Sequence, residues 1–290
     1  MRKSGPVAII DVRSDSVGGA LLTPPASSKP KTYCSQLLKL SRRDLPFQSE
    51  LNPERLLADL NTATKQVLDD LVSSARERPA EITCFLSAPF YASQTRIIKQ
   101  TRDTPIVVSR RLVADLINQD LRNFKTADHE LIEHKVMQIK LNRYVTNAPY
   151  GQHATEIEIS HYASVGTERV LNRLRETFTP YLSGRTLVFH SFPFVFFTIS
   201  RDLLNQHSAL LLDVGGEVTE LSLVANEVLW ETVSFPFGRN FLLRRLAIEL
   251  KTVPEEVISA LKIYQRGGHN KLTTERINDA LTECRREWLA

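Results

Sequence analysis

The chain has 290 residues, of which 42% are hydrophobic and 24% charged, and its formal net charge is +4. At about 150 residues per domain, this length predicts two domains. The composition excludes a disordered, collagen-like or low-complexity protein. The three cysteines, Cys34, Cys84 and Cys284, are too few and too widely spaced for a disulfide framework or a paired-cysteine zinc site. Their use therefore predicts a reducing compartment.

The positive charge is concentrated near the N-terminus. Residues 1–45 carry eight Lys or Arg against three Asp, a net +5, so the other 245 residues sum to −1. The favoured interpretation is a solvated basic loop, with attraction to an anionic membrane face as the alternative. Since no nucleic-acid-reading motif accompanies these residues, we expect no nucleic-acid partner.

The N-terminal residues do not have the pattern of a signal peptide, because only a short apolar run precedes Asp11. The most apolar stretch, residues 187–199, is shorter than the roughly 20 residues that cross a bilayer. We therefore expect a cytoplasmic protein, with a position at the inner face of the cytoplasmic membrane as the alternative.

The predicted elements begin with a β-meander. The runs VAIIDV and SVGGALL are separated by a tight polar turn, and TYCSQLLKL follows a loop rich in Pro and Ser. Asn52 as N-cap, with Pro53 in the first helical position, starts an amphipathic helix of about five turns. The run EITCFLSAP then has the character of a buried strand.

The pattern of predicted helices and strands changes between Pro105 and about Pro180. Helical runs RRLVADLINQDLRNF and TERVLNRLRETF enclose two alternating strands, VMQIKLNRYV and TEIEISHYASV, which predicts a compact inserted α+β unit. A strand and a helix follow, then strands at 209–213, 219–224 and 228–234. The first of these three is apolar throughout, so we expect it to be central and buried. Helices complete the chain.

One short pattern occurs twice: a strand, an Asp, a polar or Gly-rich turn, and a second strand. The two copies are VAIIDVRSDSVGGALL and ALLLDVGGEVTELSLV. Backbone N–H groups in such a turn bind phosphates, and an Asp at the strand end can hold a hydrated Mg²⁺. Two hairpins of this kind facing each other predict a nucleotide cleft.

The segment DVGGEVTELSLV resembles the second phosphate-binding hairpin of the superfamily of actin, hexokinase and heat-shock chaperone ATPases. The continuation NEVLWETVSFPFGRNFLLRRLAIELKTVPEEVISALKIYQRGG and the inserted KVMQIKLNRYVTNAPYGQHATEIEISHYAS resemble the bacterial branch of the division protein FtsA and the type IV pilus protein PilM. The resemblance implies an α/β, actin-like (ribonuclease H-like) two-lobe ATPase fold with an inserted α+β subdomain. Its parts would be a first lobe of residues 1–104 and 181–208, an insert of 105–180 and an incomplete second lobe of 209–290.

The same resemblance implies ATP and Mg²⁺ as cofactors, with Asp11 and Asp213 as metal ligands. The other implied nucleotide-binding residues lie in or near the two hairpins or on a later helix. They are Ser14, Ser16 and Gly18 in the first hairpin, Gly215, Gly216 and Thr219 with Glu220 in the second, Gly238 at the following turn, and Lys262 near the base or ribose. For Lys262 alone, a solvated helix face is an equal alternative.

Three positions depart from the family pattern. The family usually has Gly just after the first hairpin's Asp, whereas here Val12 is followed by Arg13, which either binds a phosphate or blocks it. Glu217 places a carboxylate beside the expected phosphate space, and Ser259 replaces an acidic residue one helical turn before the Lys. These departures argue against tight ATP binding and against more than weak ATPase activity.

The resemblance implies a scaffold that links a membrane-associated machine, for cell division or type IV pilus assembly, to cytoplasmic partners. Those partners would be further copies of the chain in a filament, a division-ring protein or a pilus inner-membrane protein. The alternatives are a degenerate, non-hydrolysing adaptor and a sugar- or acid-kinase relative, although no motif supplies the catalytic base of a kinase. Only 52 residues follow Gly238 and most are helical. We therefore expect a truncated second lobe without its later strands, its Gly-rich adenosine-binding segment or a membrane-targeting tail.

Overall fold

The computed structural model describes residues 5–23, 35–73, 78–124, 127–182, 186–268 and 271–289. These residues form three β-sheets and seven helices. The two sheets formed within residues 7–191, with the helices that pack on them, are called the first lobe. The third sheet, formed by residues 209–235, and the last three helices are called the second lobe.

The first sheet contains the predicted meander, with the strand order β3-β2-β1-β4-β9. Its strands are β1 (Val7–Val12), β2 (Ser16–Leu22), β3 (Leu37–Asp44), β4 (Glu81–Leu86) and β9 (Thr186–Ser191). The first three pair antiparallel, whereas β4 and β9 continue the sheet in parallel beyond β1. Helices α1 (Pro53–Ser73) and α3 (Glu168–Leu182) bury one face of this sheet.

The start of α1 confirms the predicted cap. The side-chain oxygen of Asn52 accepts a hydrogen bond from the backbone N–H of Arg55 at 3.0 Å, which satisfies one of the free donors of the first helical turn. The helix that follows buries Leu60, Val67 and Leu71 in the core of the first sheet. The Asn52 cap therefore determines where α1, which covers the first sheet, begins.

The inserted unit is a four-stranded antiparallel sheet with one helix. Its strands, in the order β5-β8-β6-β7, are β5 (Ala92–Val107), β8 (His153–Thr167), β6 (His129–Leu141) and β7 (Tyr144–Val145), and its helix is α2 (Arg110–Phe124). The strand β5 begins well before the predicted boundary at 105. Helix α3, predicted inside the insert, packs instead on the first sheet through Leu171, Leu174 and Phe178. Polar β5 has no apolar alternation that would mark it as a strand.

A buried polar network attaches the insert to the first sheet. Glu133 on β6 is only 7% exposed, and its carboxylate accepts hydrogen bonds from the N–H and the hydroxyl of Ser191 at 2.9 and 2.6 Å. The other carboxylate oxygen lies 2.8 Å from Nδ1 of His190, and the hydroxyl of Tyr162 lies 2.7 Å from that of Ser191. Ser191 precedes α4 (Phe192–Leu204). The insert is thereby held against the start of this helix.

The third sheet has the order β10-β11-β12, formed by β10 (Ala209–Val214), β11 (Thr219–Ala225) and β12 (Val228–Phe235). The prediction of a central, buried first strand is wrong. In the described part of the chain β10 is an edge strand, and Leu210, Leu212 and Val214 are 66%, 48% and 53% exposed. When the two hairpins are aligned on Asp11 and Asp213, these three positions match Ala8, Ile10 and Val12 of β1, which are completely buried. No described element packs on this face of β10 as α1 and α3 pack on the first sheet.

The opposite face of the third sheet is buried. Leu211, Val224 and Leu229 form a cluster with Phe197 of α4 and Tyr162 of the insert. The remaining helices, α5 (Arg239–Leu250), α6 (Pro254–Gln265) and α7 (Lys271–Leu289), pack on one another around Leu246 and Val257. None of the described helices is long and apolar enough to span a membrane.

The two described cysteines carry free thiols. Cys84 and Cys284 are both buried. The third, Cys34, falls outside the described residues.

Candidate functional site

The first hairpin turn joins β1 to β2 and is closed by its own backbone. The N–H of Arg13 donates to the carbonyl of Ser16 at 3.0 Å, and the N–H of Leu45, after β3, donates to the carbonyl of Asp15 at 2.8 Å. Asp11 lies one residue before the end of β1, and Gly18 is paired with it on β2. The local sequence thus places Asp11, Ser14, Ser16 and Gly18 in one hairpin.

The second hairpin turn joins β10 to β11. The N–H of Gly215 donates to the carbonyl of Val218 at 2.9 Å, and the hydroxyl of Thr219 donates to the carbonyl of Phe237 at 2.7 Å. The first N–H groups of α5, from Arg239 and Asn240, donate to the carbonyls of Gly215 and Gly216 at 2.9 and 2.7 Å. The start of α5 is therefore joined directly to this turn.

Close backbone packing explains the glycine that precedes α5. A Cβ atom on Gly238 would lie 2.4 Å from the carbonyl oxygen of Gly216, closer than any side chain tolerates. The structure therefore brings Gly238 together with Gly215, Gly216 and Thr219, and their nucleotide-binding role stays a prediction.

The two turns contact each other. The N–H of Glu217 donates to the hydroxyl oxygen of Ser14 at 2.9 Å, across 203 residues of sequence. A Cβ atom on Gly216 would lie 2.5 Å from the Cβ of Asp15 and 3.0 Å from its nitrogen. Backbone therefore meets backbone where the family pattern predicts phosphate groups.

Arg13 bridges the two hairpins. Its Nη2 lies 2.5 Å from Oδ1 of Asp213, and the two side chains are only 13% and 16% exposed. The guanidinium also lies over the ring of Phe192 at the start of α4, 5.3 Å from the ring centre. Burial disfavours the charged form of Arg13, but the hydrogen bond and the charge of Asp213 outweigh burial and raise its pKa above the usual value. Arg13 is therefore a permanent cation between the lobes.

A second arginine reaches across the lobes from the opposite side. Arg244 on α5 donates to both carboxylate oxygens of Glu217 at 2.7 and 2.8 Å and to the carbonyl of Gln48 at 2.9 Å. Its guanidinium lies 5.4 Å from the ring centre of Phe47. Asn240 donates to Glu217 at 2.8 Å. The carboxylate that sequence reasoning placed in phosphate space is thus fully engaged within the protein.

Two further acidic groups near the junction are buried. Burial, reinforced by the charges of Asp213 and Asp15, raises the pKa of Asp11 despite Arg13 and Arg42, and its Oδ1 has no hydrogen-bond partner in the part of the chain that is described. Burial also raises the pKa of Glu220, although its carboxylate accepts hydrogen bonds from Tyr91 at 2.6 Å and from Ser234 at 2.9 Å.

Sequence reasoning did not identify Tyr91. It lies two residues after Pro89 and has no motif context. Only the tertiary structure places its hydroxyl beside Glu220.

Two cavities lie beside the junction, and the predicted nucleotide-binding residues are distributed between them. One of about 630 Å³ is lined by Ser14, Asp15, Glu217 and Arg239 together with Lys262 on α6. The other, of about 390 Å³, lies against the first sheet and includes Asp11 and Gly18. Lys262 and Asp11, predicted for one nucleotide, therefore face different cavities.

The residues at the junction do not fit a magnesium–phosphate group. Asp213 is paired with Arg13, the N–H groups of Gly215 and Glu217 are used within the protein, and the turns are in contact. Magnesium binds oxygen ligands, usually several waters with one or two carboxylates and the phosphates of a substrate. In the ranges that the structure covers, no three His, Cys, Asp or Glu residues are arranged to hold a metal ion. Metal and nucleotide roles for the predicted residues remain predictions.

Comparison with solved structures identifies the fold as actin-like. The chain superposes on a structure of the PilM–PilN type IV pilus biogenesis complex with a TM-score of 0.63 and 14% identity, covering 97% of this chain and 75% of that one. A protein from Bacteroides thetaiotaomicron with an actin-like ATPase fold and unknown function matches at a TM-score of 0.39 and 11% identity, covering 93% and 80% of the two chains. The ethanolamine utilization protein EutJ from Carboxydothermus hydrogenoformans matches at 0.43 and 10%, covering 89% and 62%. By sequence, neither a protein family nor a curated protein matches.

Proposed function

We propose that this chain is an actin-fold scaffold of the FtsA and PilM kind, which binds a protein partner from a membrane-associated machine and does not hydrolyse ATP. The observation that carries the proposal is an apolar groove at the junction of the first lobe and its insert. The partner in the similar solved structure, PilN, belongs to a pilus biogenesis complex, so a cytoplasmic segment of a pilus inner-membrane protein is the first candidate. A division-ring protein is the second.

The groove encloses about 550 Å³. Its apolar lining comes from the start of α1, from the turn after β4 and from the start of α3; the residues are Leu56, Leu57, Phe90 and Val170, with Pro53 and Pro89. Charged residues from the β8–α3 junction, including Glu168 and Arg169, also line it. A groove lined by apolar and charged side chains suits an extended or helical peptide that buries a few apolar side chains.

The position of the groove supports a scaffold. One wall belongs to the first sheet's covering helix and another to the end of the insert strand β8. Because Glu133 and Tyr162 hold the insert against Ser191, the two walls are preformed rather than hinged. A preformed site loses less conformational entropy when its partner binds.

The hairpin junction speaks against the kinase alternative. Phosphoryl transfer depends on a held metal ion, cradled phosphates and a positioned base. At the junction, the carboxylates of Asp213 and Glu217 are paired with Arg13 and Arg244 instead. These pairs favour the non-hydrolysing adaptor over an enzyme.

Fluorescence anisotropy with labelled peptides tests the proposal. Peptides from the cytoplasmic segment of a pilus inner-membrane protein and from a division-ring protein are titrated with the full chain and with Leu57→Ser. We expect one peptide to bind and the substitution to weaken it at least tenfold, while Leu203→Ser, at a 77% exposed position on α4, leaves it unchanged. Failure of both peptides to bind, or measurable ATP turnover dependent on Asp213, would contradict the proposal.

A further inference from the structure

We infer that the two lobes are closed by the protein's own arginines and that the hairpin junction does not bind magnesium–ATP. Arg13 supplies the positive charge that a metal ion would bring, and Arg244 provides a second link. This inference shares with the proposed function the claim that ATP is not hydrolysed, but it is independent of partner binding in the peptide groove.

Arginines balance the carboxylate charges at the junction. Three carboxylates come from the hairpins, on Asp11, Asp15 and Asp213. Arg13 meets Asp213 at 2.5 Å, and Arg239 meets Asp15 at 3.3 Å. Carboxylates grouped in this way need a cation, and a guanidinium supplies one with directed hydrogen bonds. A metal ion would have to displace Arg13 before it could reach Asp213.

The two hairpin turns are in direct contact. A nucleotide between the hairpins would need free N–H groups and space between the turns. The N–H of Glu217 already donates to Ser14, and a single Cβ atom added at Gly216 would collide with Asp15. Phosphate groups placed directly between the turns would have to break the Ser14 contact.

The two arginines cross between the lobes in opposite directions. Arg13 belongs to the first lobe and reaches Asp213 in the second. Arg244 belongs to the second lobe and reaches Gln48 and Phe47 in the first. Links from both lobes hold the closed arrangement through the protein's own side chains, so we expect closure without nucleotide.

Hydrogen-exchange mass spectrometry and calorimetry on the full chain test the inference. We expect peptides that cover the two turns, residues 11–18 and 213–220, to be protected without nucleotide and unchanged by magnesium–ATP. Arg13→Ala should lose protection in both turns, Arg13→Lys should retain most of it, and Arg201→Ala should leave the turns unaffected. Arg201 is a matched control because it also pairs with a carboxylate and lies over a ring, but within α4.

A second variant covers the outcome in which Arg13→Ala does not fold. Asp213→Asn keeps the size of the acceptor but removes its charge, and it should also lose protection in both turns. Saturable magnesium–ATP binding by the unaltered protein, increased protection of its turns by magnesium–ATP, or full protection in both Arg13→Ala and Asp213→Asn would overturn the inference. Peptide binding in the groove should be the same in either case, which separates this test from that of the proposed function.

Discussion

Replacement of Arg244 by Met should be among the most destabilising single changes at the lobe junction. Met keeps much of the aliphatic stem over Phe47 but removes the guanidinium. Glu217, only 7% exposed, would then retain a single side-chain donor, Asn240 at 2.8 Å. Loss of one partner from a buried ion pair leaves an uncompensated charge and costs about 3–5 kcal/mol, compared with about 0.2–1 kcal/mol for an exposed pair.

The assay is urea unfolding of the full chain, followed in parallel by tryptophan fluorescence and by circular dichroism, because a two-lobe protein yields one free energy only if both transitions coincide. Arg173→Met is the control, since its pair with Glu176 joins side chains that are 58% and 70% exposed. It should cost less than about 1 kcal/mol.

A double-mutant cycle then isolates the pair. Glu217→Gln removes the charge that Arg244→Met leaves behind, so the double variant should be more stable than Arg244→Met alone. The reasoning is refuted if Arg244→Met costs no more than the Arg173 control, or if the two single costs simply add. Either result would mean that water, and not the arginine, compensates Glu217.

Three further substitutions probe other parts of the chain. Gly19→Ala would place a Cβ atom 2.4 Å from Cγ1 of Val67 and should lower the stability measured by thermal unfolding by about 1–3 kcal/mol. Gly18→Ala is the control and should cost much less, because the nearest atom to its added Cβ lies at 3.8 Å. Equal melting temperatures of the two variants would count against this packing. Glu133→Ala strands the buried donors of Ser191 and should lower stability by about 1–3 kcal/mol, with faster hydrogen exchange where β9 meets α4; unchanged exchange would show that the insert is held elsewhere. Asp11 has a raised pKa in the folded chain, so its ionisation opposes folding above that pKa and the penalty disappears as the pH falls below the ordinary Asp value. Asp11→Asn should therefore stabilise the protein at neutral pH and lose that advantage in acid, and a pH-independent difference would contradict the assignment.

Local sequence patterns were sufficient for much of the fold. Apolar runs broken by an Asp and a tight turn predicted both hairpins, and the Asn52 cap predicted the start of α1. The actin-like fold expected from the resemblance is confirmed by the structural comparison, although the sequence identity is only 14%. These features depend on residues close together in sequence, where spacing carries the information.

The remaining features depend on distant contacts. Strand β5 is polar over most of its length, and it is a strand because β8 pairs with it, so no periodicity marked it. Likewise, the sequence singled out Arg13 and Glu217 as unusual but left their partners open. Asp213 lies 200 residues from Arg13, and Arg244 lies 27 residues from Glu217. Only the tertiary structure shows that each unusual residue has its own counter-charge.

The shared apolar cluster beneath the third sheet bears on the order in which the chain folds. Leu211, Val224 and Leu229 are buried against Phe197 and Tyr162, which belong to the first lobe. The third sheet therefore acquires its buried surface only when α4 and the insert are already in place. Because synthesis delivers the first lobe before residue 209, that lobe can serve as a folding template for the strands that follow. Residues 209–235 produced alone should remain unfolded.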